Sequence, residues 1–124
     1  MKLTREEFEK IVISALKGLP KKIRIRMENV AVVIEDRADP TLLHKLGLRS
    51  SNELLGLYQG IPLDRRGFFY GNVLPDKITL FQHPIESCCA TREEIEERIR
   101  EVVLHEVGHY FGLDEEKLRE LGNG

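Results

Sequence analysis

Apolar positions along the chain fall into two spacings. Near the start, Phe8, Ile11, Val12, Ala15 and Leu16 recur at intervals that line one face of an α-helix. Thr4 followed three residues later by Glu7 is a capping-box signal in front of them, and Gly18 and Pro20 mark the end. From Asn29 to Asp36 the spacing gives way to an unbroken run, Val30-Ala31-Val32-Val33-Ile34, which predicts a short strand buried on both faces. Asp39-Pro40 supplies a cap and a first-turn proline for a short helix over Thr41 to Leu46, ending at Gly47. Leu54 to Ile61 reads as a second strand, weakened by its two glycines. Pro62 to Pro75 is rich in turn residues, a long loop of the kind that carries function or moves. Asp76 to His83 alternates and predicts a third strand. Thr91 with Glu94 makes a second capping box, opening a helix that carries Ile95, Ile99, Val102 and Val103 and stops at Gly112. Asp114 can cap one more short helix, with Leu118 and Leu121 inward and Gly122 closing it.

Helices and strands are mixed, with too few residues for several βαβ units. The fold class is therefore α+β, a small mixed sheet of three to four strands packed against one long helix and two or three others. With 124 residues, the expected organisation is a single domain over 1–124. Apolar residues at 41% and charged residues at 32% describe a globular, soluble chain. A net charge of −2 gives no global footprint for nucleic acid or an anionic membrane, and neither is expected as a partner, although a local patch stays open. Cys88 and Cys89 are adjacent, which suits neither a disulfide framework nor a four-thiolate zinc site and points to a reducing compartment. The opening residues contain no apolar run, and no stretch approaches the ~20 apolar residues that span a bilayer, so the expected location is cytoplasmic.

One stretch outweighs the rest: His105-Glu106-Val107-Gly108-His109, an H-E-x-x-H pattern on a segment already predicted to be helical. Residues four apart lie on one helical face, so two imidazoles can converge on one ion, and zinc accepts neutral imidazole nitrogen. Glu106 is rotated by ~100° from His105, beside the ligands rather than among them. There it can take a proton from water that the ion activates. Catalytic zinc needs a third protein ligand and an open position. After Gly112 the acidic run Asp114-Glu115-Glu116 offers it; Glu115 fits the extended H-E-x-x-H-x-x-G-x-x-ligand spacing, Glu116 is the second choice, and Asp114 suits the helix cap. The competing reading is an amphipathic helix whose histidines are satisfied by hydrogen bonds. Against it, Glu106 and His109 share a broad face with Val102 and Val103, where burial without partners costs a few kcal/mol.

In this motif, and in the stretches Asn29 to Ile34, Leu57 to Leu63 and Pro75 to Phe81, the chain resembles the small bacterial zincin-like metallopeptidases, or minimal zincins. The resemblance covers most of the chain. It implies an α+β zincin core with the H-E-x-x-H helix under a short mixed sheet, zinc as cofactor and a peptide or protein as substrate. Residue by residue, it implies His105 and His109 as metal ligands and Glu106 as general base. The family's third position usually holds Asp; Glu115 stands there here, with a longer reach. Met1 and Met27 are the only methionines, so the Met-turn of metzincins is missing.

The remaining candidates have quieter readings. His44 is expected to be solvated, and His83 to be structural at the end of its strand. Either Leu54–Ile61 or Asp76–His83 would be the sheet edge that pairs with extended substrate. Tyr58, Tyr70 and Tyr110 are equivalent as oxyanion donors, with core packing the default for each. Arg65-Arg66 reads as a solvated turn, and the Glu93–Arg100 run as a charged helix face. The leading function is a zinc peptidase. The rivals are a zinc-stabilised binding or regulatory domain and a small metal-dependent nuclease, against which the charge of −2 counts. Oligomeric state is left open.

Overall fold

The computed structural model describes residues 1–60 and 76–112. The turn-rich segment after Ile61 and the final helix expected from Asp114 lie outside these residues.

Helix α1 spans Arg5–Lys17 and begins in a complete capping box. The Thr4 hydroxyl accepts the Glu7 N–H, and the Glu7 carboxylate accepts the Thr4 N–H, both at 3.1 Å. Its apolar stripe is buried as the spacing predicts, with Phe8 and Ala15 fully enclosed. A single-turn helix α2 follows at Lys21–Arg26, held by the buried Ile23. Strand β1 is Val30–Glu35, helix α3 is Pro40–Leu46 under the Asp39 cap, and strand β2 is Gly56–Gln59. Strand β3 is Asp76–Phe81, helix α4 is Gln82–Ser87 and helix α5 is Arg92–Tyr110.

The sheet order is β1-β3-β2, with β1 parallel and β2 antiparallel to the central strand. This mixed sheet with its helices is the α+β architecture expected from the sequence. Two single-turn helices, α2 and α4, raise the helix count beyond that expectation. The sheet also corrects three strand readings. Among the described residues strand β1 ends the sheet order and is only half-buried, so its apolar run does not mean enclosure on both faces. The strand enclosed on both faces is β3, where Ile78, Thr79, Leu80 and Phe81 are all buried. It is central, so it cannot serve as the substrate edge. The third strand also ends at Phe81 rather than His83, because Gln82 begins α4 and the His83 N–H donates to the Asp36 carbonyl at 2.9 Å.

Helix α5 runs through the core against both α1 and the sheet. Ile95, Ile99, Val103 and Val107 are fully buried on the side it turns inward, in one cluster with Phe8, Val12, Ile23, Ile78 and Leu80. Its second capping box is half formed. The Thr91 hydroxyl accepts the Glu94 N–H, but the Glu94 carboxylate accepts from Ala90 instead of Thr91. Arg92 pairs with Glu7 in the first turn of α1 and Ser14 near its end bonds to Glu96, so the first half of α5 is tied along α1. Among the described residues no helix is long and apolar enough to cross a membrane.

Candidate metal centre

Helix α5 must break its period abruptly after Tyr110 if anything downstream is to turn back on its last face. Phe111 caps the helix, and Gly112 then adopts φ of 71°, a left-handed conformation that glycine takes without strain. The two histidines lie on the last turns of this helix. Both are exposed, and their ring centroids are 6.0 Å apart. Two imidazoles sharing a tetrahedral zinc through nitrogen at about 2.0–2.1 Å place their centroids roughly 5 Å apart. The observed spacing is about an ångström wider than that, between two exposed side chains on one helical face. Among the described residues no group of three or more His, Cys, Asp or Glu gathers into a metal cage. Glu115, Glu116 and Asp114, the sequence candidates for the third ligand, lie outside the described residues.

Burial creates no demand for a metal at His109, contrary to the expectation from the sequence. His109 is exposed although Val102 and Val103 are buried, so its imidazole carries no desolvation cost that an ion would have to offset. Glu106 is half-buried and already has a partner: its Oε1 accepts the backbone N–H of Tyr58 at 2.9 Å. Tyr58 lies in β2, which is bonded to β3 on one side, and α5 meets it on the other through this carboxylate. A charge-assisted bond to a backbone N–H is among the stronger kinds and fixes the orientation of the carboxylate.

Two glycines make that approach feasible. A Cβ on Gly56 would lie 2.5 Å from Val102 Cγ1 and 3.1 Å from the Thr79 carbonyl oxygen. A Cβ on Gly60 would overlap the Tyr110 ring and hydroxyl. The glycines that weaken Leu54–Ile61 as a strand are what let this strand lie against the helix. Tyr58 then completes the joint. Its ring stacks on Tyr110 with centroids 4.1 Å apart, meets Phe111 edge-on at 6.1 Å, and its hydroxyl donates to Asp76 at 2.9 Å. The three tyrosines are therefore not equivalent. Tyr58 is buried, Tyr110 is 48% exposed and not a core residue, and Tyr70 lies outside the described residues.

Beside the motif, a cleft of about 290 Å³ is bounded by Leu54, Gly56, Arg98, Val102, His105 and Glu106. It lies at the lower end of small-molecule site volumes. His44 is exposed on α3, as expected, and His83 is half-buried on α4 rather than at a strand end. Arg65 and Arg66 lie outside the described residues.

Residues 27–124 match the family described as zincin-like metallopeptidase. The chain belongs to that family. A solved structure described as a conserved hypothetical protein from Thermo thermophilus shares its fold, with a TM-score of 0.52 at 22% identity over 88% of this chain and 94% of that one. No curated protein matches the chain. For a zincin-like chain, the residue that sequence reasoning left unassigned is Tyr58. It holds Glu106 through a backbone N–H, a contact that no side-chain pattern announces.

Proposed function

We propose that this chain is a zinc-dependent peptidase in which His105 and His109 hold the metal through their imidazoles and Glu106 is the general base. The third ligand in this reading is Glu115, with Glu116 as the second choice. When bound, zinc would polarise the scissile carbonyl and acidify water. Substrate lies extended along the outer edge of β2, where main-chain pairing fixes its path past Glu106. Glu106 receives the proton from the attacking water and passes it to the leaving amine. The observation that carries the reading is the 2.9 Å bond from Tyr58 N–H to Glu106, because it fixes a carboxylate against β2 on the helix that also carries two exposed imidazoles one turn apart.

Metal analysis tests it. Purified wild-type protein should retain about one zinc per chain, and His105→Ala should retain almost none. Equal, near-zero zinc in both would end the proposal. A second reading, a zinc-stabilised binding or regulatory domain, draws on the small cleft volume of about 290 Å³. It predicts a zinc-dependent melting temperature with no cleavage of a broad peptide library.

A further inference from the structure

Residues 17–26 contain Lys17, Lys21, Lys22, Arg24 and Arg26 and no acidic residue, which leaves the remainder of the chain at a net −7. All five cations are exposed, and among the described residues none of them pairs with a carboxylate. The near-neutral total charge therefore hides a concentrated basic patch. Beside it is a groove of about 390 Å³ between α1, α2 and β1. Its apolar walls are Ile13, Leu16, Leu19, Met27, Val30 and Val32, and Lys17 and Arg24 stand over them. Ile13 is 54% exposed, and Ile25 of α2 is equally so. Among the described residues strand β1 ends the sheet order, and its Val30 and Val32 line the groove.

We propose that this groove docks an extended acidic segment of a partner polypeptide. Apolar side chains of the segment enter between α1 and β1, and its carboxylates meet Lys17, Lys21, Lys22 and Arg24. Alternation of apolar and acidic residues suits a strand laid beside a sheet edge, with one face in the groove and the other towards the cations.

The shape and the charge distribution select this occupant over other anions. A lipid surface takes projecting apolar side chains, whereas this apolar surface is concave. Single-stranded nucleic acid takes aromatic stacking platforms, and none of the side chains lining the groove is aromatic. A long polyanion would also meet the −7 carried by the rest of the chain, while a short segment interacts within about one Debye length of the patch. Arg26 stands over the Phe111 ring, 4.8 Å from its centroid, so the basic run reaches the end of α5. A partner docked here is led towards the H-E-x-x-H helix, yet its binding needs no metal and no cleavage.

The test is fluorescence anisotropy with the full chain. The probe is a fluorescein-labelled peptide of about twelve residues alternating Glu or Asp with Val or Leu. A counterpart with Lys in place of the acids, vesicles of phosphatidylglycerol and phosphatidylcholine, and polyuridylate serve as comparison arms. The acidic peptide should bind, and raising salt from about 50 to about 500 mM should weaken it. Lys21→Glu/Arg24→Glu should weaken it about tenfold or more through lost and reversed charge. Ile13→Asp should do the same through the groove wall. All three positions are exposed, so circular dichroism and melting temperature should stay at wild-type values. Binding unaffected by these substitutions, no binding of the acidic peptide, or charge-dependent binding of the vesicles or polyuridylate alone would overturn the proposal. Loss of zinc or of peptidase activity would leave it standing, because the readout is binding.

Discussion

The backbone N–H of Tyr58 donates to the Glu106 carboxylate at 2.9 Å, so the acidic residue of the H-E-x-x-H motif is held by the main chain of β2. The bond works in both directions. It orients the carboxylate on α5, and it occupies a main-chain donor on β2. Because the donor belongs to the main chain, of all side-chain substitutions at position 58 only proline removes it, and its geometry depends on how closely β2 lies to α5.

Glu106→Gln separates metal binding from proton transfer. The amide keeps the shape of the side chain and leaves His105 and His109 intact, so zinc content should stay at the wild-type level. Hydrolysis should fall by about 100-fold or more with loss of the base. Parallel metal analysis and peptide-cleavage rates check both; unchanged turnover would remove Glu106 from the mechanism.

Gly56→Ala should destabilise the fold by about 1–3 kcal/mol, since the added methyl meets Val102 and the Thr79 carbonyl. Combining it with Val102→Ala should recover part of the loss relative to the sum of the two single changes, because the closest clash is with Val102 Cγ1 at 2.5 Å. Urea unfolding of the four proteins in this cycle reads the coupling.

Tyr58→Phe deletes the hydroxyl that donates to Asp76 at 2.9 Å while leaving the ring on Tyr110. The expected cost is about 1 kcal/mol in urea unfolding. Zinc content should not change, since the bond to Glu106 comes from the Tyr58 main chain.

Acid should act on the two caps in a defined direction. The Thr4 backbone N–H first, then the Thr4 hydroxyl and Arg92, hold the Glu7 carboxyl below its ordinary 4.5. The Ser50 and Arg49 backbone N–H groups do the same for Glu53. A group depressed in the folded state stabilises fully above its unfolded value and loses that contribution as pH falls through the folded one. Glu7→Gln should therefore be less stable than wild type at about pH 6, with the gap closing below about pH 4. Urea midpoints across this range check the sign.

What the sequence made legible follows from what is local. Thr4, Asp39 and Thr91 act on backbone groups within three residues, so α1, α3 and α5 were readable with their starts. The spacing of His105 and His109 is likewise a property of one helix. Helix α2 was missed because six residues, four of them basic, show little apolar period, and only packing of Ile23 holds it. The end of β3 was misread for a related reason. Gln82 reaches Leu3 and Arg5, and His83 reaches Asp36, contacts with distant chain that turn an alternating pattern into a helix. Enclosure of β3 rather than β1 was equally hidden, since strand order is set by pairing across the sheet and not by composition.

The pairing of α1 with α5 has a consequence for how the protein is made. Phe8 and Val12 leave the ribosome well before the helix that covers them, which is translated about 80 residues later. Until then the apolar face of α1 lacks the α5 side chains Ile95, Ile99 and Val103 that complete its cover. Such a nascent chain is expected to stay open to chaperone holding until α5 has been made.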